Sequence, residues 1–162
     1  YADLIVQEYG RNVGLKTVSF RGGCITGPNH SGAKLHGFLS YLVKVSMLKK
    51  EYSLIGYKGK QVRDNLHSTD LINCFWEFYK KPKKGEIYNI GGGRYSNCSI
   101  LEALNIVEKE RKISIRKKFI KLPRVGDHIW YVSNTSKFKK DYPKWKQKYN
   151  TKKIIKELIE NN

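Results

Sequence analysis

The chain has 162 residues, 40% hydrophobic and 12% aromatic, which is enough for one folded domain with a core. Its formal net charge of +18 invites a nucleic-acid partner, but the excess is mostly lysine and is spread along the chain, so we expect none. The sequence begins at Tyr1, with no leader pattern and no apolar run that could cross a bilayer, so we expect a cytoplasmic fragment that binds no membrane.

Cysteines and histidines carry no metal or redox signature. Cys24, Cys74 and Cys98 are an odd number of thiols without Cys-x-x-Cys spacing. The four histidines are scattered without the His-x-His or His-x-x-x-His spacing of a metal site. We therefore predict free thiols and no metal.

Helical and strand patterns alternate along the chain, which predicts an α/β fold. Residues 2–12 have the amphipathic spacing of a helix, and Gly14 stands at its C-cap position; residues 15–21 alternate as a strand. A Gly- and Pro-rich loop at 22–30 then leaves that strand. Ligands bind at such strand ends in open α/β sheets, although a tight connection without a ligand has the same composition.

The middle of the chain predicts a helix over residues 36–49 and a short strand over 52–57. Ser68 is the predicted N-cap of the next helix. We expect the apolar stripe of this helix to face the core. The stripe consists of Leu71, Ile72, Phe75, Trp76 and Tyr79.

Further elements follow in the second half of the sequence. The three glycines at 91–93 lack the spacing of a dinucleotide fingerprint and predict a turn after a strand over 86–90. Ser99 and Glu102 form a capping-box pattern that opens a helix. Strands are predicted over 113–120 and 128–132, and a terminal helix over 151–160 would bury Ile154, Ile155, Leu158 and Ile159.

Two stretches combine an arginine with an aspartate. Arg63 lies in the Gly-Lys-Gln-Val-Arg-Asp segment at 59–64, and Arg124 and Asp127 lie in the segment 123–127. A guanidinium offers a planar fork of donors to phosphate oxygens, and a carboxylate can accept from ribose hydroxyls. Two such arginines could clamp a diphosphate, whereas on composition alone surface Arg–Asp pairs are the simpler interpretation.

These stretches and several others match one family in chain order. The sequence resembles the NAD-dependent epimerase/dehydratase family of extended short-chain dehydrogenases/reductases, and the match covers essentially the whole chain. Its form is most similar to the CDP-paratose (CDP-tyvelose) 2-epimerases, with UDP- or dTDP-sugar epimerases or dehydratases as the alternative within the family and a basic nucleic-acid-binding module outside it. The matching segments are 2–4, 20–21, 26–28, where Thr26 replaces a frequent Tyr, 59–67, 88–92 and 124–127.

The resemblance implies a Rossmann-type fold in two parts. Residues 1–30 and 66–93 would be the last part of a Rossmann-type sheet that carries NAD in complete enzymes. Residues 31–65 and 94–162 would form a small α+β domain that binds the nucleotide-sugar substrate.

The resemblance also implies roles for single residues. Arg63 and Arg124 would hold the substrate diphosphate, and Asp127 would bind the ribose. Cys24 stands where UDP-galactose-type epimerases have Asn, which makes it a candidate for contacting the sugar or phosphate; a small buried thiol is the alternative. His36 is a candidate near the nucleotide base.

The resemblance implies no catalytic residue in this chain. The Gly-rich turn that binds most of the NAD and the catalytic Tyr-x-x-x-Lys pair would precede Tyr1, so we expect these 162 residues alone to be inactive. Internal Tyr-x-x-x-Lys matches at Tyr79 and Tyr142 contain a proline that would break the helix, and the match at Tyr149 lies near the end of the chain. The full-length protein would act on a CDP-sugar. A homo-oligomer is one of the states that it could adopt.

Overall fold

The computed structural model describes residues 1–34 and 36–161, in which helices and strands alternate and confirm the predicted α/β fold. A 3₁₀ turn at Tyr57–Gly59 follows the third strand. The elements are α1 (Ala2–Arg11), β1 (Val18–Gly22), β2 (Cys24–Thr26), α2 (Phe38–Met47), β3 (Tyr52–Ile55), β4 (Val62–His67), α3 (Ser68–Lys80), β5 (Glu86–Ile90), β6 (Asn97–Ser99), α4 (Ile100–Arg111), β7 (Lys117–Ile120), β8 (Trp130–Tyr131), α5 (Ser136–Asp141) and α6 (Thr151–Glu160).

The strands pair in groups, with β4 at the centre of the largest. The first half of β4 lies between β6, which is antiparallel to it, and β8, which is parallel to it. The second half pairs in parallel with β2, so that Cys24 lies opposite Asn65. Strands β1 and β5 form a parallel pair, and so do β3 and β7. Parallel pairing is typical of α/β folds with helices on the sheet faces.

An aliphatic core joins α2, β3, α4 and α6. It confirms the predicted terminal helix, of which Ile154, Ile155 and Leu158 are buried and Ile159 is half-buried. The predicted capping box at the start of α4 is also present: Ser99 Oγ accepts from the Glu102 N–H, and the Glu102 carboxylate accepts from the Ser99 N–H. The buried members of the aliphatic core include Leu42, Leu54, Ala103, Leu104 and Val107.

An aromatic core lies beneath β1 and β5, against α3 and α5. The Phe138 ring sits 5.1 Å from the Tyr88 ring and 5.3 Å from Trp145, both nearly edge-on. Such edge-to-face pairs are favoured over face-to-face stacks because of the ring quadrupole. The Trp145 indole N–H is satisfied by the Asp70 carbonyl at 3.0 Å. The aromatic core thus binds the segment after α5 to α3.

The predicted core stripe of α3 is wrong for four of its five residues, and only Leu71 packs against the aromatic core. Ile72, Phe75, Trp76 and Tyr79 are between 46% and 73% exposed. The buried face is the neighbouring one, which carries Asp70 together with Cys74 and Phe78. Both faces of the helix offer apolar side chains, so periodicity alone did not decide between them. The buried carboxylate decided it, because Asp70 accepts the backbone N–H groups of residues 148 and 149.

The cap of α3 also differs from the prediction by one residue. His67, rather than Ser68, is the N-cap, and its Nδ1 accepts from the Thr69 N–H at 3.2 Å. Its Nε2 lies 2.7 Å from the Glu157 carboxylate on α6, and the ring stacks on Tyr149. A histidine ring can replace the shorter cap residues here because Tyr149 and α6 hold its plane in place.

Four short elements were missed, namely β2, β4, β6 and α5, and several strands are shorter than predicted. Strand β1 begins at Val18, β7 at Lys117, and β8 has two residues. Strand β4 was not predicted because its Arg-Asp-Asn centre lacks apolar alternation, and α5 was not predicted because six residues are too few for a clear helical period. No helix in the described ranges is long and apolar enough to cross a membrane.

Candidate functional site

A cavity of about 450 Å³ lies between the loop that follows β1, strand β3 and the start of β4. This volume falls in the range of small-molecule sites, about 300–1,000 Å³. Four of the five residues predicted from the sequence line the cavity, namely Cys24, His36, Arg63 and Arg124. The fifth, Asp127, lies behind the two arginines.

Arg63 and Arg124 meet at one carboxylate oxygen. Arg63 Nη2 lies 2.6 Å from Asp127 Oδ1, and Arg124 Nη2 lies 3.2 Å from the same atom. The Asp127 side chain is only 4% exposed, whereas that of Arg124 is 42% exposed. The carboxylate therefore orients both guanidinium groups toward the cavity, and their joint charge exceeds its own.

Strand pairing fixes the position of Arg63. The residue lies in the part of β4 that is paired on both sides, opposite Cys98 of β6 and Tyr131 of β8. Its Nη1 also donates to the Val62 carbonyl at 2.7 Å. Backbone pairing on both sides of β4 holds the Cα atom of Arg63 in place. The side chain of Arg63 is therefore positioned more firmly than that of Arg124, which comes from a loop.

Arg124 comes from a loop that approaches β3 closely. Gly56, with φ of 66°, follows β3, and a Cβ atom there would lie 2.7 Å from Pro123. Only glycine combines this positive φ with such an approach. The turn is closed by the Asp127 N–H, which donates to the Arg124 carbonyl at 3.1 Å. Gly56 thereby lets the loop bring Arg124 to the cavity.

Cys24 is a neutral part of the cavity wall. Burial, reinforced by the nearby Asp64 carboxylate, raises the pKa of its thiol. Asp64 is fully buried, and its Oδ2 accepts from the N–H groups of Gly93 and Ser133 at 3.0 Å each. A thiol with a raised pKa is a poor nucleophile, so Cys24 can pack against a ligand or offer a weak hydrogen bond.

Two histidines stand together at the cavity. The rings of His30 and His36 are 5.5 Å apart and nearly perpendicular. Gly37 has φ of 66° and touches the His30 ring so closely that a Cβ atom would overlap it. Lys34 also lines this part, so cationic and imidazole groups face a ligand here.

Sequence reasoning missed several residues of the wall, of which Gln61 and Tyr52 matter most. Gln61 is 5% exposed, and its Nε2 donates to the Ile55 carbonyl at 2.9 Å, whereas its buried Oε1 has no hydrogen-bond partner among the described residues. Burial raises the pKa of the Tyr52 hydroxyl. Recognising β4 as a strand would have placed Gln61 on the same face as Arg63, two residues away.

The described residues do not form a dinucleotide site of the usual kind. That site needs a strand, a Gly-rich turn and a helix whose N-terminus holds the pyrophosphate. Here β1 leads directly into β2, and the glycines after β5 lead into β6. The residues present therefore do not by themselves fit an NAD pyrophosphate.

Solved structures share this fold. A crystal structure of dTDP-glucose 4,6-dehydratase from Bacillus anthracis, in complex with NAD, matches with a TM-score of 0.83 at 24% identity, over 99% of this chain and 49% of that one. UDP-glucose 4-epimerase from Thermotoga maritima matches with a TM-score of 0.85 at 19% identity, over 98% and 50%. The predicted Rossmann-type fold class is thereby confirmed.

Sequence comparison shows the family. A CDP-paratose 2-epimerase of Salmonella typhi is 30% identical over 144 residues, which are 84% of this chain and 42% of that protein. The chain thus spans about half or less of the length of these relatives. The model of the NAD dependent epimerase/dehydratase family matches residues 1–91. The chain belongs to the NAD-dependent epimerase/dehydratase family.

Proposed function

We propose that this chain binds the nucleotide-sugar substrate of an NAD-dependent epimerase of the CDP-paratose 2-epimerase type. The observation that supports the proposal most is the meeting of Arg63 and Arg124, from separate segments, at one cavity. Lys34 adds a third positive charge to the lining. The cations outnumber the carboxylates near the wall, Asp127 and the buried Asp64, so the site suits an anionic ligand such as a diphosphate.

In this proposal the two arginines play different parts. Arg63 is held by β4 and by Asp127 and would be preformed for one phosphate. Arg124 is more exposed and its contact with Asp127 is longer, so it would turn from the carboxylate to the second phosphate. Asp127 would keep Arg63 in place and, through its second oxygen, would accept from the ribose hydroxyls.

The rest of the wall would hold the base and the sugar. Phe38, Tyr52 and Leu54 supply apolar surface for a planar base. His36 would lie near the base, and Cys24 near the sugar or phosphate. This assignment makes residues 31–65 and 94–162 the substrate-binding part, and residues 1–30 and 66–93 the part that continues the NAD-binding sheet.

We propose further that NAD is bound mainly by residues outside these 162. NAD supplies hydride transfer to and from the sugar carbon when it is bound. The present residues would bind and orient the substrate, which lowers the entropic part of the barrier. The 162-residue chain by itself would then show no epimerase activity, and turnover of a CDP-sugar by the purified chain with added NAD would overturn this part.

The nucleotide that carries the sugar could be CDP, UDP or dTDP. The similarity to a CDP-paratose 2-epimerase over 84% of the chain favours CDP. A UDP- or dTDP-sugar epimerase or dehydratase is the second candidate, favoured by the fold shared with such enzymes. Both candidates need the same arginine clamp, so they differ at the base.

Thermal unfolding with CDP, UDP and dTDP separates the candidates. A ligand that binds only the folded chain raises the midpoint of unfolding, by an amount that grows with affinity. We expect CDP to raise it most. Arg63→Gln should weaken CDP binding by about 10- to 100-fold, because a charge-assisted contact contributes roughly 1.5–3 kcal/mol.

Arg94→Gln is the matched control, since Arg94 is exposed in the turn after β5 and its loss changes the net charge equally. This variant should bind CDP as the parent does. Equal shifts with all three nucleotides would remove the preference for CDP. An absence of any shift at millimolar concentration, together with steeply salt-dependent binding of DNA or RNA, would favour a nucleic-acid-binding module instead.

A further inference from the structure

A second cavity, of about 370 Å³, lies away from the candidate site and is rimmed by basic side chains. Its lining includes four cations, Lys49, Lys50, Arg111 and Arg116. No carboxylate belongs to the lining, and none of the four forms an ion pair with another residue in the described part of the chain. This concentration of unpaired charge is unlike the candidate site, where Asp127 joins the arginines.

The two cavities lie at opposite ends of helix α2. Helix α2 has Phe38 in the wall of the first cavity and Ser46 in the wall of the second. Lys49 and Lys50 of the second cavity precede β3, whereas the residues of β3 itself line the first cavity. Ten helical residues span about 15 Å, so one small ligand cannot occupy both cavities.

The two guanidinium groups are oriented by neutral acceptors. Arg111 Nη1 donates to Ser46 Oγ at 3.0 Å, and Ser46 is 1% exposed. Arg116 Nη2 donates to the Lys49 carbonyl at 3.4 Å. Because no carboxylate neutralises them, both arginines keep their full charge and further donors for an anion.

Nearby negative groups do not cancel this charge. Helices α2 and α4 both end here, and each C-terminus carries about half a negative charge. Glu108 is engaged elsewhere, since its carboxylate accepts from the Ile115 N–H at 2.8 Å and pairs with Lys117 at 3.0 Å. Glu51 is exposed beside Lys50. Four positive charges therefore outweigh the negative groups around them.

We propose that this second cavity binds a small phosphorylated compound. Its volume accommodates a sugar phosphate or a mononucleotide rather than a bare ion. Ile113 and Ile115 give it an apolar side against which the ester part can pack. The arginines would bind the phosphate oxygens, and the two lysines at the rim would attract the anion. The proposal stands independently of the function proposed for the first cavity.

Backbone amide NMR of the ¹⁵N-labelled chain tests the proposal, with inorganic pyrophosphate and glucose 1-phosphate as probes. We expect shifts centred on residues 49–50 and 113–116. In the double variant Arg111→Gln with Arg116→Gln, these shifts should need at least tenfold more probe. Lys49→Gln with Lys50→Gln gives a second test that leaves the Ser46 contact intact.

The matched control is Lys44→Gln with Lys109→Gln. Both lysines are exposed, lie in the last turns of the same two helices and carry the same total charge. This control should change the apparent affinity less than twofold. Equal weakening in test and control variants, or shifts confined to the first cavity, would overturn the proposal. So would tighter binding of a short DNA duplex with shifts spread over lysines far from the cavity.

Discussion

The aliphatic core and the aromatic core differ in how completely they are covered. In the aliphatic core, α2, α4 and α6 enclose fully buried Leu42, Leu104 and Ile154. The aromatic core lies beside helices whose outer faces are apolar and in water, including Trp76 on α3 and Leu4 on α1. Apolar composition alone thus does not separate a core face from an outer face.

The candidate site shares residues with the aliphatic core. Tyr52, Leu54 and Ile100 belong to the aliphatic core and also line the first cavity. A change in that core should therefore alter stability and the cavity together. A change on the outer face of α3 should alter neither.

The largest effect is expected inside the aliphatic core. Ile154→Ala removes a fully buried side chain and leaves a space that three packed helices cannot easily fill. It should lower the free energy of unfolding by about 2–5 kcal/mol, measured by urea denaturation. Ile72→Ala, at an exposed position of α3, is the control and should cost less than about 1 kcal/mol. A similar loss of unfolding free energy at both positions would mean that the aliphatic core and the exposed side of α3 do not differ in how they are buried.

The buried carboxylate that selects the inner face of α3 comes next. Asp70 accepts three backbone contacts of 3.1 Å from residues 148 and 149. Asp70→Asn removes the charge and turns one acceptor into a donor, which should cost about 2 kcal/mol of stability. Glu77→Gln on the same helix loses a surface pair with Lys80 and should cost about 0.5 kcal/mol or less. If Asp70→Asn and Glu77→Gln lower the free energy of unfolding equally, Asp70 does not anchor the inner face of α3.

A pH effect is expected at the rim of the aromatic core. The hydrogen bond from Lys83, and then that from Tyr88, hold the pKa of Asp141 below its ordinary value of 3.8. A lowered folded-state pKa stabilises the folded chain above pH 3.8, and this contribution is lost as the pH falls below it. Asp141→Asn should cost about 1 kcal/mol at pH 7 and less below pH 4. A cost that does not change with pH would contradict this account.

The smallest effect is expected on the outer face of α3. Trp76→Gln replaces a ring that is 56% exposed and stacks only on Tyr79 among the ring contacts of the described residues. The free energy of unfolding should change by no more than about 0.5 kcal/mol. A loss above 2 kcal/mol would show that this face is covered in solution.

Local sequence patterns predicted an element correctly where a single structural signal was present in its segment. The capping box of α4, the terminal helix with its buried Ile154, and the strand over residues 86–90 were all confirmed. Short-range hydrogen bonds and strong helical periodicity decide these elements, and neighbours merely support them. Four of the residues that line the first cavity, Cys24, His36, Arg63 and Arg124, could be named from the sequence because motif resemblance supplied the long-range information.

Tertiary contacts decided what local patterns left open. The sequence by itself determined the α/β class, the order of the main elements and the two Arg–Asp stretches. Only the tertiary structure decided which face of α3 is buried, because Asp70 bonds to a segment more than seventy residues away. It also decided that β4 is a strand, since backbone pairing with β2, β6 and β8 stabilises its polar centre. That pairing brings Arg63 to Asp127, 64 residues distant, a proximity that no local spacing encodes.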